Sequence, residues 1–259
     1  MNLTSWSPSR FERYTQCPLL AKLSFIDKLC PLCFKGRLHG GFDTPEVCDT
    51  CGKTIEQANA LTRGSEIGKN LELYVKGKEK KLHKEIRHKE VIELAETLRA
   101  EAKKGTVKVE EQIVLDVGWK PCSPFDKTKA WLRTKLDVLR LTKSAEVIDW
   151  KTGGIDKRNG SVRAEAKYDD QLEIYAVATL AAFPALKEVK TALVFVDCGP
   201  RFDPKVTRES VPRKALAKLQ KKWVTRVVKM LSDDIFAPRP SEKCRWCNFS
   251  QGKGGPCQY

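Results

Sequence analysis

An acid and a lysine lie two residues apart in the stretch Glu146–Gly154, which reads EVIDWKTGG. Side chains alternate between the two faces of a β-strand, so Asp149 and Lys151 point to one face and Trp150 points to the other. The paired glycines that follow end the strand. A carboxylate beside an ammonium at a strand end is either a solvated ion pair or half of a catalytic site.

A second acid, Asp137, lies in the preceding strand-like stretch, WLRTKLDVLR. If the two strands form a hairpin with its turn near 143–145, Asp137 comes close to Asp149. Two carboxylates that close repel each other, and a divalent cation between them relieves the repulsion. Mg²⁺ binds a few carboxylates, retains waters, lowers the pKa of a bound water and stabilises charge on a phosphate. Lys151 would orient or deprotonate that water, or neutralise the developing charge.

The composition favours a polyanionic partner. The chain has 259 residues and a formal net charge of +15, which suits nucleic acid most simply. No apolar run approaches the roughly 20 residues that cross a bilayer, and the opening MNLTSWSPSR has no signal-peptide core. We therefore expect a cytoplasmic protein. In a reducing compartment its ten cysteines are better interpreted as metal ligands than as disulfides.

The hydrophobic patterning predicts the order helix, cysteine-rich insert, helix, three strands, helix, strand, helix and tail. Ser7 fits an N-cap and Pro8 a first helical residue, and Pro18 is expected to bend the first helix. Asp137 falls in the middle strand of the three and Asp149 in the third. The predicted ranges are a helical region over 61–104, strands over 107–117, 130–141 and 145–150, a helix over 166–183, a strand over 188–198 and a helix over 211–235.

Asp137, the phrase IDWKTG and the phrase QLEIY follow one another within about forty residues. Together they resemble the PD-(D/E)xK nuclease superfamily, and more narrowly the RecB-like exonucleases, which include phage, CRISPR-associated and AddB-type iron–sulfur nucleases. The resemblance implies an α/β restriction-endonuclease-like core, a mixed central sheet flanked by helices. It also implies that Asp137 and Asp149 bind Mg²⁺ or Mn²⁺ and that Lys151 is catalytic. Gln171 and Tyr175, one turn apart on a helix, would position the substrate.

One family position departs from the pattern. The family phrase R-G-x-x-I-H corresponds to RGSEIG here, so Gly68 stands where a histidine is expected. The loss leaves a two-metal site in doubt, and both a one-metal site and an inactive nuclease fold stay open. Four acids would either supply an extra ligand or be solvated charges: Glu66, Glu72, Glu110 and Glu111.

Two C-x2-C pairs, separated by fourteen residues, supply four thiolates: Cys30, Cys33, Cys48 and Cys51. Four thiolates suit tetrahedral structural zinc. The insert is too short to bury a core, so metal binding would supply much of its folding energy. We therefore expect a zinc-ribbon insert over 30–54, within a nuclease core over 1–29 and 55–259 that carries a C-terminal cysteine cluster.

The C-terminal stretch CRWCNFSQGKGGPCQY holds three further cysteines, which need a fourth ligand. AddB-type iron–sulfur nucleases carry one cysteine before the core and three after it. By that resemblance the ligand set is Cys17, Cys244, Cys247 and Cys257, and the cofactor is a [4Fe–4S] cluster that ties the chain ends together. Four cysteines also suit zinc, and their spacing does not choose between the two.

The resemblance implies a metal-dependent DNA exonuclease that hydrolyses phosphodiester bonds at single-stranded or frayed DNA ends. Replication, recombination or repair is the implied setting, with a replication or recombination protein of unknown identity as partner. The resemblance leaves open that the protein is phage-encoded and acts in a host cytoplasm. The alternative is a non-catalytic DNA-binding accessory protein with a degenerate nuclease fold. RNA as the substrate is a third hypothesis, because net charge does not separate RNA from DNA.

Overall fold

A computed structural model of the chain describes residues 3–39, 46–54, 59–126, 128–142, 144–153, 166–199, 202–208 and 210–259. These divide into two compact units, a smaller one of Met1–Ala58 with Trp223–Tyr259 and a larger one of Asn59–Lys222. Among the described residues, none of the helices combines the length and apolar character that crossing a membrane requires.

The main helices and strands occur along the chain in the predicted order. The α-helices are α1 Pro8–Gln16, α2 Pro18–Ala21, α3 Asn59–Val75, α4 Lys89–Lys103, α5 Ala166–Ala182 and α6 Leu216–Leu231. The strands are β1 Leu38–His39, β2 Val47–Cys48, β3 Val107–Leu115, β4 Leu132–Leu141, β5 Ala145–Lys151, β6 Glu188–Phe195, β7 Lys205–Thr207 and β8 Val211–Pro212.

The larger unit is built on a six-stranded mixed sheet in the order β3-β4-β5-β6-β7, with β8 also paired to β6. β3, β4 and β5 form an antiparallel meander, and β5 then pairs with β6 in parallel. The parallel pair needs a crossover, which α5 supplies. A mixed sheet flanked by helices is the predicted fold class, and it is confirmed.

The two faces of this sheet bury different helices. One face packs against α3 and α4 through a cluster that includes Ile67, Leu71 and Leu98 with Val138 and Ile148. The other face packs against α5, where Leu172 meets Leu193 and Phe195. Each such fully buried side chain contributes about 1.5–3 kcal/mol. The strands that carry the acids, β4 and β5, are therefore held between helices on both faces of the sheet.

Two predicted helices differ from those observed. The region predicted as helical over 61–104 is two helices, α3 and α4, because the Asn70 side chain holds the segment between them: Oδ1 accepts from the His83 N–H at 2.6 Å and Nδ2 donates to the Lys81 carbonyl at 3.2 Å. The helix predicted from 211 begins only at Leu216. Arg213 instead donates to the Leu180 and Phe183 carbonyls at the end of α5.

The smaller unit begins as the sequence predicts. The Ser7 side chain caps α1 by accepting from the Arg10 N–H. The helix breaks at Cys17, whose backbone is extended, before Pro18 starts α2. Within this unit the Trp6 and Trp223 rings stack at 5.5 Å between centroids, and both are buried.

Candidate active site

The two predicted acids lie opposite each other at the point where β4 and β5 separate. Val138 and Ile148 are the last paired residues of the ladder, so Asp137 and Asp149 occupy the next position. There the main-chain N–H of Trp150 donates to Asp137 Oδ2 at 2.8 Å in place of a ladder bond. Asp149 is buried, with 2% of its surface exposed.

A hydrogen-bonded chain joins Lys151, Gln171 and Tyr175 to Asp149. The Gln171 side-chain amide donates to Asp149 Oδ1 at 3.2 Å and to the Tyr175 hydroxyl at 2.7 Å. Its carbonyl accepts from Lys151 Nζ at 3.2 Å. Because Gln171 and Tyr175 are one turn apart on α5, both side chains reach the same strand end. The structure thus brings together all five residues predicted for this site.

One oxygen of Asp149, Oδ2, has an ionic partner but no directed hydrogen bond. Among the described residues, Oδ2 is buried without a hydrogen-bond partner. Lys151 Nζ lies 2.5 Å away as an ion pair, which offsets the charge without meeting the directional needs of a hydrogen bond. Two carboxylates with hard oxygen donors at one strand end fit Mg²⁺ or Mn²⁺.

Burial and mutual repulsion set the charge state of the pair. Burial raises the pKa of Asp137 to about 7, and repulsion from Asp149 acts in the same direction, against the Trp150 N–H and Lys151. Burial also raises the pKa of Asp149, which Lys151 opposes. The pKa of Tyr175 is raised by burial and by the charge of Asp149. The raised pKa values favour a proton on the pair near neutral pH, and a bound cation would replace that proton.

A cleft of about 340 Å³ opens beside Asp137. It is lined by Gly64, Ser65, Gly68, Glu72, Val109, Glu110, Asp137, Trp150, Lys151 and Thr152. Gly64 brings α3 close to the end of β5, because a Cβ there would lie 2.7 Å from Thr152 Oγ1 and would force that side chain to shift. The wall formed by α3 thus lies directly against the end of β5.

An ion-pair network fixes the turn after Lys151. Asp197 accepts the Gly153 N–H at 2.8 Å and pairs with Arg63 of α3 at 2.8 Å. Arg63 also pairs with Glu85. This network could not be predicted from the sequence, because its members are far apart in the chain.

The four acids considered as extra ligands occupy different environments. Glu72 lines the cleft, but its two oxygens are paired with Lys69 and Lys76 at 2.8 Å. Glu66 is exposed and is not among the cleft residues. Of the two strand acids, Glu110 lines the cleft and Glu111 does not.

The insert cysteines converge on one point of the smaller unit. All four sulfurs, of Cys30, Cys33, Cys48 and Cys51, lie within 4.8 Å of one another. The Cys30–Cys51 pair is separated by 3.9 Å and the Cys33–Cys48 pair by 3.6 Å. Zn–S bonds of about 2.3 Å at tetrahedral angles separate sulfurs by about 3.8 Å. The cluster is compatible with a zinc-binding insertion.

Main-chain amides support the thiolate form of Cys33, whereas burial and the neighbouring thiols outweigh the Lys53 N–H and raise the pKa of Cys51 to about 11. The N–H groups of Lys35 and Gly36 donate toward Cys33 and lower its pKa to about 6. The Thr50 N–H donates to Cys48 Sγ at 3.4 Å. The strands β1 and β2 pair Leu38 with Cys48, which holds the two cysteine turns side by side. Thiolates at neutral pH are the ligands that zinc needs.

The other four predicted cysteine ligands are arranged differently. Cys17, Cys244, Cys247 and Cys257 line one cavity of the smaller unit. Burial raises the pKa of the Cys247 thiol, and the other three cysteines add to that rise. No three of these sulfurs lie within 4.8 Å of one another, unlike those of the insert. The four side chains share a cavity but are spread more widely.

Known proteins are similar to this chain over most of its length. The family profile described as the PD-(D/E)XK nuclease superfamily matches residues 5–251. Among solved structures, SSO0001 is similar over 96% of this chain and 85% of its own, with 15% sequence identity and a TM-score of 0.46. None of the curated protein sequences matches this chain.

Proposed function

This chain belongs to the PD-(D/E)XK nuclease superfamily, and we propose that it hydrolyses DNA phosphodiester bonds with Mg²⁺ or Mn²⁺. One observation carries the proposal. Asp137, Asp149 and Lys151 meet at one strand end, and a buried oxygen of Asp149 has no hydrogen-bond partner among the described residues. A purely structural ion pair would not need a second buried carboxylate beside it.

The proposed roles follow from the contacts. Asp137 and Asp149 would hold the cation, which when bound activates a water and stabilises charge on the phosphate. Lys151 neutralises developing negative charge beside Asp149, or moves a proton at Nζ. The Gln171 amide binds both the Lys151 ammonium and the Asp149 carboxylate, which holds these two groups in position relative to each other. Tyr175 braces Gln171 from the next turn of α5.

The finer activity rests on the resemblance to RecB-like exonucleases. On that ground we propose exonuclease action at single-stranded or frayed DNA ends, in replication, recombination or repair. The net charge of +15 supports a nucleic-acid substrate. The proposed organisation is a zinc ribbon over 30–54 within a nuclease core over 1–29 and 55–259.

We further propose that Cys17, Cys244, Cys247 and Cys257 hold a [4Fe–4S] cluster, as AddB-type nucleases do. Their sulfurs line one cavity, but no three of them lie within 4.8 Å of one another. A four-iron cluster holds its thiolates further apart than a single zinc ion does, because iron and sulfide lie between them. The wide spacing therefore supports iron over zinc.

A non-catalytic DNA-binding protein is the second candidate. Gly68 lines the cleft, so the family position that usually carries a histidine faces the site without a donor. The intact set of Asp137, Asp149 and Lys151 favours the enzyme.

The deciding experiment incubates the full chain with end-labelled single- and double-stranded DNA in Mg²⁺, Mn²⁺ or chelator. Lys151→Ala is the test variant. Lys89→Ala is its control, because the Lys89 side chain is 87% exposed and pairs only weakly with Glu93. Metal-dependent cleavage that is lost in Lys151→Ala alone supports the enzyme, and stepwise products support exonuclease action. Tight DNA binding without cleavage would favour the binding protein.

A further inference from the structure

Trp246 presents a large aromatic surface from a short turn of the smaller unit. The residue ends the 3₁₀ helix Glu242–Trp246, and 72% of its surface is exposed. The chain has six tryptophans, and the other five are buried or half-buried. An indole in contact with water is therefore the exception in this protein.

The backbone around Trp246 is held by hydrogen bonds on both sides. The Ser241 hydroxyl accepts the Cys244 N–H, and the Ser241 N–H donates to Cys244 Sγ at 3.3 Å. After the turn, the Cys247 N–H donates to the Cys244 carbonyl at 3.0 Å. Lys253 Nζ donates to the Trp246 carbonyl at 3.2 Å. The exposed ring is therefore carried by a fixed turn, which lowers the entropy cost of binding a ligand against it.

The indole does not close the cavity that the cysteines line. Phe249 lines that cavity and is 5% exposed. Cys244 and Cys247, which flank the indole in the sequence, also line it, whereas Trp246 does not. The turn thus directs its two cysteines inward and its indole outward. Covering the cysteines is the role of Phe249, and it leaves the Trp246 ring available to a ligand.

Two cationic side chains lie within three residues of the exposed indole. The Arg245 guanidinium lies over the ring, 5.5 Å from its centroid, in a cation–π contact that orients the indole. Lys243 is exposed. Among the described residues, neither cation forms an ion pair with an acid, and the sequence from 243 to 259 contains three basic residues and no acid. This positive charge is therefore available to an anionic ligand.

We propose that Trp246, Arg245 and Lys243 form a contact for single-stranded DNA, in which an unpaired base stacks on the indole and the two cations bind flanking phosphates. Proteins that bind single strands without sequence preference combine these two components, an aromatic platform and a positively charged track. The inference rests on the proposed DNA substrate. It adds a binding site in the smaller unit to the catalytic residues of the larger unit.

Single-stranded DNA fits this surface better than a duplex does. Inside a duplex the faces of each base are covered by its neighbours, so an indole reaches them only after unstacking. An unpaired base offers a free face, and every base has one, so the contact tolerates any sequence. A duplex would bind through the cations alone.

The test measures binding of a fluorescently labelled oligothymidylate to the full chain, purified without oxygen and analysed for its metal content. No divalent cation is added, so that binding is followed without cleavage. Trp246→Ala is expected to weaken binding about tenfold, and Trp246→Phe, which keeps a stacking ring, is expected to restore most of the affinity. Ile235→Ala is the matched control, because Ile235 is 80% exposed in the same unit but follows two aspartates. It should leave binding unchanged.

Two further readouts separate stacking from charge. Binding should quench part of the tryptophan emission in the wild type, and less of it in Trp246→Phe, although both proteins bind. Arg245→Gln should lower the slope of log affinity against log salt concentration by about 0.7, the value for one phosphate contact on a single strand. Trp246→Ala should leave that slope unchanged.

Three results would overturn the contact. The first is an unchanged affinity in Trp246→Ala. The second is an equal loss of affinity in Trp246→Ala and Trp246→Phe together with a loss of bound metal, which would make the indole a structural residue. The third is an equal loss of affinity for a duplex of the same length, which would exclude base stacking.

The outcome for the proposed function is distinguishable. A wild type that cleaves end-labelled DNA, with unchanged binding in Trp246→Ala, overturns only the contact at Trp246. A wild type that binds the oligonucleotide through Trp246 but does not cleave DNA with Mg²⁺ or Mn²⁺ overturns only the nuclease. A wild type that neither binds nor cleaves overturns both.

Discussion

The main-chain N–H of Trp150 donates a hydrogen bond to the Asp137 carboxylate at 2.8 Å. This contact fastens Asp137 to the strand that carries Asp149 and Lys151, at the point where the ordinary ladder ends. The carboxylate pair is therefore in place before any cation arrives. Preorganisation of this kind lowers the free-energy cost of binding a metal ion. When no metal ion is bound, the two carboxylates repel each other.

We expect the metal-free protein to lose stability as the pH rises from about 4 to about 7. Burial raises the pKa of Asp137 to about 7 in the fold, against about 3.9 in an unfolded chain. Over that window the folded state binds the additional proton, so the free energy of unfolding falls as the pH rises. Mg²⁺ replaces the proton, and its apparent affinity should fall below pH 7. Urea unfolding at several pH values, with and without Mg²⁺, measures both effects.

Asp137→Asn separates the effect of Asp137 on the pH dependence of stability from the effects of the other titrating groups. The variant should be more stable than wild type above pH 7 without metal, by on the order of 1 kcal/mol or more. The advantage should shrink toward pH 4 and disappear when Mg²⁺ saturates the wild type. A difference between the two proteins that does not vary with pH would contradict the raised pKa.

The parts of this site that follow from local rules were predictable from sequence. The hairpin between β4 and β5 sets Asp137 opposite Asp149, strand alternation puts Lys151 beside Asp149, and helical spacing aligns Gln171 with Tyr175. The roles of these residues stay predictions. The left-handed backbone of Glu110, with a φ of +59°, could not be predicted from its residue type, because residues with a Cβ rarely adopt it.

The same distinction holds for the fold. The sequence pattern predicts the strands around Asp137 and Asp149 to within a few residues. It does not predict the break between α3 and α4, because the Asn70 side chain makes its hydrogen bonds to residues more than ten positions away. Nor does it predict that α6 starts after Arg213, whose side chain is committed to carbonyls at the end of α5.

Gln171→Ala is expected to reduce DNA cleavage by about 10²-fold or more, the size typical of losing a catalytic orientation. The substitution releases both Lys151 and Asp149 from the same amide. Tyr175→Phe should cost less, because it removes only the hydroxyl that braces Gln171. Initial rates on end-labelled DNA at saturating Mg²⁺ measure both.

Glu173→Gln is the control on the same helix, since Glu173 pairs with Lys222 rather than with the site. It should leave the rate unchanged. Equal losses in Gln171→Ala and Glu173→Gln would indicate damage to α5 as a whole and would contradict a specific positioning role.

Cys48→Ser should remove one zinc ion per chain and lower the melting temperature. Cys48 is 1% exposed, and its sulfur lies 3.6 Å from that of Cys33, so a serine hydroxyl would replace a buried thiolate ligand. Folding of so small an insert depends on its metal. Elemental analysis of the purified chain measures the zinc content.

Cys122→Ser is the matched control, because Cys122 belongs to neither cysteine set and lies in the larger unit. Its zinc content should equal that of wild type. Unchanged zinc in Cys48→Ser would contradict the ribbon.

Cys17→Ser should remove iron and visible colour from protein purified without oxygen, while leaving the insert zinc in place. The Cys17 sulfur accepts the Arg239 N–H at 3.4 Å, beside the cavity that the three C-terminal cysteines line. Iron and sulfide analysis with absorption spectroscopy measures the loss. Two zinc ions per wild-type chain and no iron would contradict the cluster and assign zinc to both cysteine sets.

Gly68→His should strengthen Mn²⁺ binding about tenfold. Gly68 lines the cleft from α3, and a Cβ built there meets nothing within 4 Å. An imidazole has room to enter the cleft, and it would add a nitrogen ligand to the carboxylates that Mn²⁺ prefers. Mn²⁺ titration of the full chain measures the change.

Gly68→Ala separates the effect of the imidazole on Mn²⁺ binding from the effect of removing a glycine on helix stability. Replacing a glycine inside a helix stabilises it by about 0.5–1 kcal/mol through the loss of unfolded-state freedom, so both variants should melt at a higher temperature than wild type. Only the histidine variant should gain Mn²⁺ affinity, because alanine brings no donor to the cleft. Equal Mn²⁺ affinity in the two variants would mean that position 68 does not face the cation. The ligands would then come from the strands alone.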